Sequence, residues 1–277
     1  MPNKHPPRFN DYLDRWGLTP DGDPIITHSG HLLPVRQGDV PAMLKIAVET
    51  EEKFGGLLMR WWAGQGAARV LAHEGEALLM ECAENNIFLA DLARNGGDDE
   101  ASRIICRAIA ALHDRTGSPP FDLIPLTKWF EDLAPAAAKY GGVFTACAAT
   151  AGELLSTPQD VVVLHGDVHH QNILDFGSRG WLAIDPKRLR GERGFDYANL
   201  FCNPDVEIAV AAGRLARQVE VVIEAAGLER KRLLQWIVAW AGLSATWWLQ
   251  DGESPESEHI VADLTVAHLA MAELAKS

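Results

Sequence analysis

The chain has 277 residues, of which 47% are apolar and 23% are charged, a composition typical of a globular protein with one large domain or two modest ones. Its formal net charge of −13 argues against a nucleic-acid partner, whose phosphates such a protein would repel. The same excess of acidic residues is compatible with a cationic ligand.

Cysteine usage and hydropathy indicate the compartment. The four cysteines, Cys82, Cys106, Cys147 and Cys202, are far apart and form no CxxC pair, which is typical of a reducing environment. The polar, proline-rich N-terminus lacks the apolar run of a secretory signal. Residues 233–250 carry no charge, yet two glutamines and several small polar residues favour a buried helix over a membrane span. We therefore expect a cytoplasmic protein without a membrane partner.

In chain order, the first predicted elements are mainly strands. Residues 1–20 form an irregular lead with one helical turn, and residues 24–46 have a strand–turn–strand pattern. Apolar residues at every other position from 40 to 46 place Lys45 on the opposite face of the second strand. A helix is predicted at 49–62, with glutamates in its first turn, followed by two strands at 67–71 and 77–80.

The remainder of the chain has mainly helical patterns, and this change near residue 83 predicts two domains, 1–83 and 84–277. The predicted helices lie at 86–93, 98–115, 126–138, 144–155, 206–226, 231–249 and 260–276. Isoleucines and leucines of the second helix fall on one face, so we expect it to pack under the loop described next.

Residues 161–186 interrupt these helices with a different pattern. Residues 161–164 are a largely β-branched apolar run that predicts a buried strand, and a His-Gly-Asp triplet ending at Asp167 follows. Asn172 comes five positions after Asp167, and a second apolar run ends at Asp185. Each acidic or amide group therefore follows an element that can hold it rigidly.

This arrangement suits phosphoryl transfer. Asp167 is placed to accept a hydrogen bond from an attacking hydroxyl and to orient it. Asn172 and Asp185 offer the hard oxygen ligands that Mg²⁺ prefers when it bridges the phosphates of ATP. We therefore predict an enzyme that uses ATP and Mg²⁺, with Asp167 and Asn172 as catalytic residues and Asn172 and Asp185 as metal ligands.

The segment LHGDVHHQNIL resembles the catalytic loop of protein kinases. With the following RGWLAIDPKRLRGERGFDYANLF, it is most similar to the aminoglycoside/hydroxyurea antibiotic resistance kinases, which include streptomycin 6-phosphotransferases. The resemblance implies an α+β, bilobal protein-kinase-like fold, with a small antiparallel-sheet N-terminal lobe and a larger helical C-terminal lobe. It also implies that ATP binds between the lobes and that a small molecule, such as a streptomycin-like aminoglycoside, supplies the acceptor hydroxyl.

The resemblance assigns roles to the N-terminal lobe as well. It implies that Lys45, a third predicted catalytic residue, positions the ATP phosphates and pairs with a glutamate of the next helix, for which Glu52 is our choice and Glu51 is nearly equivalent. The other nucleotide contacts that it implies are Ser29, Gly30 and backbone groups of Glu81 and Ala83.

Supporting residues are expected around the catalytic loop. The resemblance implies that His165 holds the loop by bonding its backbone, and that Asp196 ties the loop to a following helix. Asp196 is also placed to cap that helix. A basic cluster after Asp185, formed by Lys187, Arg188, Arg190 and Arg193, either neutralises phosphate or is a solvated loop.

The C-terminal region supplies candidates for acceptor binding. Four tryptophans fall near helical spacing, and we expect most of them in the core and one or two at the acceptor: Trp236, Trp240, Trp247 and Trp248. The acidic residues that follow them either bind the amines of the acceptor, as the resemblance implies, or form a solvated loop: Asp251, Glu253 and Glu256.

Three alternatives stay open at this point. The acceptor is either a streptomycin-like aminoglycoside or another hydroxylated metabolite, such as a choline-like compound or a sugar amine. Alternatively, the chain is a nucleotide-binding protein without transfer activity. The presence of the complete predicted catalytic set argues against this alternative. The third alternative is a metallohydrolase, in which His165, His169 and His170 join Asp167 to bind Zn²⁺ or Mn²⁺.

Overall fold

A computed structural model describes residues 9–27, 30–48, 50–84 and 87–276, with the side chains of residues 50–52 excluded. Its N-terminal part is a six-stranded sheet built from β1 (Leu18–Pro20), β2 (Ile25–Ile26), β3 (Gly30–Gln37), β4 (Val40–Ala47), β5 (Val70–Glu74) and β6 (Ala77–Glu81). Every strand pair in it is antiparallel, in the order β1-β3-β4-β6-β5 with β2 on β3. The expected antiparallel N-terminal sheet is therefore confirmed.

Helices cover both faces of this sheet, α1 (Phe9–Trp16) on one and α2 (Thr50–Trp62) on the other. Tyr12 of α1 shares a core cluster with Leu44, whereas Met59 of α2 packs in a separate cluster with Leu78. Because successive strand side chains point to opposite faces, the alternation in β4 turns Lys45 towards α2. The strand pattern thus delivers one lysine to the buried space between sheet and helix.

Helix α1 corrects the irregular lead predicted for residues 1–20. Its apolar residues recur at helical spacing: Phe9 and Tyr12 are buried in the core cluster of the sheet, and Leu13 and Trp16 pack against that cluster. A helix this short is marginal in isolation. It forms because the sheet offers an apolar surface that its one apolar stripe can cover.

The larger C-terminal part is helical, with two small sheets inserted. Its helices are α3 (Leu89–Leu92), α4 (Asp98–His113), α5 (Leu126–Trp129), α6 (Leu133–Tyr140), α7 (Gly142–Ser156), α8 (Val206–Ala209), α9 (Arg214–Ala226), α10 (Arg230–Gln250) and α11 (Glu258–Leu274). Its strands are β7 (Ile124–Pro125), β8 (Val161–Leu164), β9 (Ile173–Asp175), β10 (Trp181–Ala183) and β11 (Leu189–Glu192). Strand β9 pairs with β10, and β11 lies between β7 and β8.

Helix α10 forms the centre of the C-terminal core. Its side chains are buried on every side along most of its length, against α7, α11 and α9. The uncharged stretch at 233–250 is therefore a buried helix, as predicted. Within the described ranges, no helix combines the length and the hydropathy that crossing a membrane requires.

Other elements differ from their predicted extents. The helix expected at 126–138 is divided into α5 and α6, and Pro135 lies in the first turn of α6, where its missing N–H is tolerated. The helix expected at 206–226 is interrupted before Gly213, which has a left-handed φ of 77°. Strands β9 and β11 were not expected, because three or four residues carry too little periodicity to be recognised.

Candidate active site

Two short strand pairs bring the predicted site together. Strand β8 pairs with β11 and β9 pairs with β10, both antiparallel. These pairings place residues 165–172, which follow β8, beside residues 184–188, which follow β10. The backbone N–H of Ile184 donates to the carbonyl of Asn172 at 2.9 Å and fixes the two segments to each other.

Asp196 holds the start of the catalytic loop. Its carboxylate accepts the backbone N–H of His165 at 2.9 Å and that of Gly166 at 2.8 Å, and the ring of His113 contacts it at 2.8 Å. Asp196 is only 2% exposed and lies inside a 3₁₀ helix, Arg193–Tyr197. Its carboxylate therefore bonds the loop, and the α-helix cap considered from the sequence does not form.

His165 and Gly166 shape the turn that precedes Asp167. The buried His165 ring bonds the Ile184 carbonyl through Nε2 at 2.8 Å and accepts the Asp167 N–H on Nδ1 at 3.2 Å. Burial lowers the pKa of His165, so the ring is neutral and carries its proton on Nε2. Gly166 has a φ of 87°, and a Cβ there would lie 2.7 Å from Leu189, so glycine is required.

The carboxylate of Asp167 is surrounded by donors at the edge of a cleft. Asn199 Nδ2 donates to its Oδ1 at 3.0 Å, and Asn172 Nδ2 lies 3.4 Å from its Oδ2. The ammonium of Lys187 is 3.6 Å from Oδ2, and the Asp167 side chain is 26% exposed. Asn199 was not among the predicted site residues, because nothing in its sequence spacing relates it to Asp167.

Lys45 reaches the C-terminal lobe from β4. Its side chain is almost fully buried, and its Nζ lies 2.8 Å from Oδ1 of Asp185. Asp185 has a φ of 60°, a left-handed backbone conformation, at a turn of the chain just after β10. With the contacts of the previous paragraphs, the structure brings Lys45, Asp185, Asn172 and Asp167 into one chain of neighbours between the lobes.

Asn172 and Asp185 have the chemistry that a magnesium ion needs. Asn172 directs its Nδ2 towards Asp167, which leaves its amide oxygen on the opposite side. Mg²⁺ typically takes one or two protein oxygens and completes its shell with phosphate and water. One amide oxygen and one carboxylate on adjoining backbone segments fit that requirement.

The histidines of the loop do not form the zinc site of the metallohydrolase alternative. In the described part of the chain, no three or more His, Cys, Asp or Glu side chains are grouped so that they could hold a metal. Both ring nitrogens of His165 are engaged with the backbone, and His170 is buried, with its pKa lowered to about 3 by burial. This geometry favours a kinase-like catalytic loop over a zinc site as the interpretation of the motif.

Gly30, the first residue of β3, lies close to Lys45. A Cβ on Gly30 would be 3.0 Å from Cε of Lys45, so the absence of a side chain allows this approach. Thr27 closes the turn, since its Oγ1 donates to the Gly30 carbonyl at 2.7 Å. Ser29 and the side chain of Glu52 lie outside the described residues, and their roles stay predictions.

The segment after β6 connects the two lobes. The N–H of Glu81 donates to the Arg69 carbonyl at 3.0 Å, and the N–H of Glu84 donates to the Asp175 carbonyl at 3.0 Å. Ala83 packs beside the apolar cluster between the lobes. The predicted adenine contact uses backbone groups of Glu81 and Ala83. Because the Glu81 N–H is engaged, its carbonyl and the backbone of Ala83 are the groups left for that contact.

Two glycines of α2 have a role that the sequence did not reveal. A Cβ on Gly55 would lie 2.7 Å from the carbonyl oxygen of Pro186, and one on Gly56 would lie 2.9 Å from the His73 ring. Helix α2 therefore packs directly on the backbone that follows Asp185. Glycine lowers the helix propensity at these two positions, but its missing Cβ allows that close approach.

Gly55→Ala is expected to raise KM for ATP several-fold, because the new Cβ must displace either α2 or the backbone that follows Asp185. Steady-state kinetics with varied ATP checks this result. The matched control is Gly152→Ala in α7, where a Cβ would meet nothing within 4 Å. That variant should gain up to about 1 kcal/mol of stability without a change in KM. Wild-type kinetics in Gly55→Ala would contradict the proposed contact.

The basic cluster after the second apolar run does not act as a unit. Lys187 faces Asp167, whereas Arg188 stacks on an aromatic ring of α2 at 4.0 Å from its centroid. Arg193 bonds carbonyl groups at the end of α9, and Arg190 is exposed. Of the four residues, Lys187 is the one placed to balance charge at the catalytic carboxylate.

A cleft of about 1450 Å³ opens beside Asp167 in the C-terminal lobe. Carboxyl groups dominate its wall: Glu131, Asp132, Asp167, Asp205, Glu207, Asp251, Glu258 and Asp263. The Lys and Arg side chains that line it are Arg94, Lys128 and Lys187, and the tryptophans are Trp129, Trp240, Trp247 and Trp248. The cleft is therefore suited to a large, cationic and partly apolar molecule.

The predicted acceptor residues contribute to this cleft unequally. Asp251, Trp240, Trp247 and Trp248 line it, whereas Trp236 is buried in the core and donates to Glu192. Glu253 and Glu256 form local contacts with His259 and Ser254. The other acidic residues of the wall come from separate helices and loops, so no sequence run announces them.

Three polar groups of the cleft wall have no hydrogen-bond partner among the described residues. They are Oδ2 of Asp263 and the indole N–H groups of Trp129 and Trp240. Asp263 is 5% exposed, and burial raises the pKa of its carboxyl to about 6. Buried polar groups are normally paired, so these three atoms are exceptions in the wall of the cleft.

Comparison with known proteins identifies the family of the chain. The model of the aminoglycoside/hydroxyurea antibiotic resistance kinases matches residues 15–252. A streptomycin 3''-kinase of Klebsiella pneumoniae is 51% identical over 245 residues, which are 87% of this chain and 92% of that protein. A streptomycin 6-kinase of Streptomyces griseus is 29% identical over 254 residues, which are 87% of this chain and 81% of that protein.

A solved structure has a similar fold. A choline/ethanolamine kinase family protein of Mesorhizobium loti superposes with a TM-score of 0.67 over 97% of both chains, at 17% sequence identity. The bilobal, protein-kinase-like fold expected from the sequence is thereby confirmed. The chain belongs to the aminoglycoside/hydroxyurea antibiotic resistance kinase family, and it is a small-molecule phosphotransferase.

Proposed function

We propose that this enzyme transfers the γ-phosphate of ATP to a hydroxyl group of streptomycin, and that it does so in the cytoplasm. The observation that carries the proposal is that Asp167, beside the Lys45–Asp185 pair, opens onto an acidic cleft rich in tryptophan. Streptomycin is a polyhydroxylated oligosaccharide with guanidinium and methylamino groups, and its cations complement the carboxyl groups of that wall.

The reaction requires one bond to form and one to break. The acceptor hydroxyl donates a hydrogen bond to Asp167, and its oxygen attacks the γ-phosphorus in line. The bond from that phosphorus to the bridging oxygen breaks, ADP leaves, and the hydroxyl proton passes to Asp167 and then to solvent. Because the transition state is loose, most of the rate comes from positioning and from neutralising the phosphate charge.

Residues of both lobes supply that positioning. Lys45 binds the phosphates from the N-terminal sheet, and Lys187, beside Asp167, balances charge on the acceptor side. Asn172 and Asp185 would hold Mg²⁺, which, when bound, neutralises phosphate charge and orients the γ-phosphate. The Glu81 carbonyl and the Ala83 backbone bind the adenine edge, where β6 passes into the C-terminal lobe.

The unpaired groups of the cleft wall indicate how the acceptor binds. Oδ2 of Asp263 accepts a bond from a guanidinium or ammonium group, which also favours the ionised carboxylate. The indole N–H groups of Trp129 and Trp240 donate to hydroxyl oxygens of the sugar rings. Each of these contacts requires the wall to shift enough to expose the buried atom, and it then satisfies a polar atom that has no hydrogen-bond partner among the described residues.

The hydroxyl that receives the phosphate is proposed to be the 3''-hydroxyl. The chain is 51% identical to a streptomycin 3''-kinase and 29% identical to a streptomycin 6-kinase. The choice of hydroxyl depends on which end of the acceptor enters the cleft. Hydroxyurea, the other substrate in the family's description, is far too small to fill a cleft of about 1450 Å³.

An acceptor screen tests this function. Purified enzyme with ATP and Mg²⁺ is assayed for ADP release with streptomycin, other aminoglycosides, hydroxyurea and choline, and without acceptor. We expect streptomycin to stimulate ADP release far above the acceptor-free rate, and tandem mass spectrometry to find the phosphate on the methylamino sugar. A phosphate on the streptidine ring would reject the 3'' assignment. The absence of stimulation by streptomycin would reject the proposed substrate.

A further inference from the structure

A relay of two side-chain amides ends on the catalytic carboxylate. Nδ2 of Asn203 donates to Oδ1 of Asn199 at 2.8 Å, and Nδ2 of Asn199 donates to Oδ1 of Asp167 at 3.0 Å. Nδ2 of Asn203 also donates to the Asn199 carbonyl at 3.0 Å. Asn199 is buried, with 7% of its surface exposed, whereas Asn203 and Asp167 are half-buried at the cleft.

The relay has only one stable orientation. Because Oδ1 of Asn199 accepts a bond from Asn203, its NH₂ group must point at Asp167. A flipped Asn199 would set its Oδ1 against the carboxylate and its NH₂ against the NH₂ of Asn203. Both new contacts would be repulsive, and in a buried site an unmade bond costs more than in water.

The carboxylate of Asp167 needs such a constraint. The last torsion of an aspartate is broad, so packing alone does not fix its oxygens. The contacts on Oδ2 are longer, with Asn172 Nδ2 at 3.4 Å and Lys187 Nζ at 3.6 Å. Asn199 makes the shortest of these side-chain contacts, from a turn that is separate in the chain from the catalytic loop.

The turn that carries Asn199 is itself well anchored. It is a 3₁₀ helix, Asn199–Cys202, between the buried segment 193–197 and α8. Arg214 donates to the carbonyl of Phe201 at 3.2 Å while its guanidinium pairs with Asp98 of α4 at 2.8 Å. The turn is thus fixed to the helical core, and its position is transmitted to the carboxylate through Asn199.

We propose that Asn199 is a positioning residue for phosphoryl transfer, which holds the carboxylate of Asp167 at the angle that meets the acceptor hydroxyl, and that Asn203 orients Asn199. The inference rests on the proposed function of Asp167. It assigns a role to two asparagines that lie 32 and 36 positions after the catalytic aspartate. Neither residue is required to touch ATP.

The first experiment is a double-mutant cycle with ATP and streptomycin. Asn199→Ala is expected to lower kcat about 10- to 100-fold, the value of one hydrogen bond to a charged group, with KM for both substrates within about twofold of wild type. In an Asp167→Ala background, the same change should have no further effect on the residual rate, because the group it positions is gone. Equal losses in both backgrounds would overturn the proposal.

The second experiment uses Asn203, where Asp is nearly isosteric with Asn. Asn203→Asp removes the donor and places a carboxylate oxygen against Oδ1 of Asn199, which should turn the Asn199 amide away from Asp167. We therefore expect Asn203→Asp to lower kcat more than Asn203→Ala, at similar melting temperatures. A packing role predicts the reverse order, since Asp preserves the shape of Asn. That reverse order would reject the relay.

These outcomes separate the inference from the function beneath it. If Asp167→Ala keeps wild-type turnover, the proposed function fails and the relay with it. If Asp167→Ala loses turnover but Asn199→Ala does not, only the relay fails. A rise in KM for streptomycin at unchanged kcat would make Asn199 an acceptor contact and would also reject the positioning role. Should Asn199→Ala fail to fold, the comparison of the two Asn203 variants decides.

Discussion

Asp167→Ala is expected to lower kcat for streptomycin phosphorylation by about 10²- to 10⁴-fold, the usual range for loss of a positioned general base. Binding of ADP should stay within about twofold of wild type. The reason is that Asp167 contacts Asn199, Asn172 and Lys187, whereas the proposed nucleotide contacts are made by the Lys45–Asp185 pair. Steady-state kinetics and calorimetric titration with ADP measure the two quantities.

The matched control for this variant is Asp160→Asn, compared with Asp167→Asn. Asp160 lies shortly before the same catalytic loop, but its side chain is 73% exposed and pairs with Arg193 at the surface. Both substitutions remove one negative charge, and only the one at 167 should affect turnover. Wild-type turnover by a folded Asp167→Ala protein would be incompatible with the mechanism.

Glu192→Ala is expected to destabilise the fold by about 3–5 kcal/mol, because it leaves a buried guanidinium without its carboxylate. Arg232 donates to Glu192 from Nε at 2.8 Å and from Nη2 at 2.5 Å, and Trp236 donates to the same carboxylate at 2.8 Å. The side chains of the pair are 10% and 4% exposed. Urea denaturation followed by tryptophan fluorescence measures the change in the free energy of unfolding.

Two variants test whether burial is the cause. Glu74→Ala removes an ion pair with Arg15 that lies in solvent, and it should leave the free energy of unfolding nearly unchanged. Replacing Glu192 and Arg232 together by apolar residues of similar size should cost less than Glu192→Ala alone, because no charge is then left buried. A double variant less stable than Glu192→Ala would contradict this explanation. It would show that the ion pair itself stabilises the fold, beyond preventing an unpaired buried charge.

The fold could be predicted well where one period dominates a long segment. Helix α4 was expected at 98–115 and lies at Asp98–His113, and strand β8 has the predicted bounds. Prediction failed where a short element depends on its neighbours. Helix α1 exists because it covers the sheet, and β11 exists because it completes a three-stranded sheet between β7 and β8.

The catalytic loop is the part of the site that the sequence specifies most fully. Asp167 and Asn172 lie on one short loop, and Asp185 follows β10, which pairs with β9, the strand that begins directly after Asn172, so local spacing sets their separation. The acceptor cleft differs in this respect. Asp132, Asp205 and Asp263 come from three distant parts of the chain, and their common orientation depends on how the helices pack.

By itself, the sequence determined the class of reaction, because the residues proposed for phosphoryl transfer, Asp167, Asn172 and Asp185, lie close together in the chain in an order typical of kinases. Tertiary structure alone decided what surrounds that chemistry: the amide relay from Asn203 through Asn199 to Asp167, the approach of Gly55 to Pro186, and the buried carboxylate oxygen of Asp263, which has no partner in the part of the chain that the structure describes. The physical reason is the separation of these residues along the chain. Hydrogen bonds and close contacts between residues far apart in the chain depend on packing, which no local periodicity encodes.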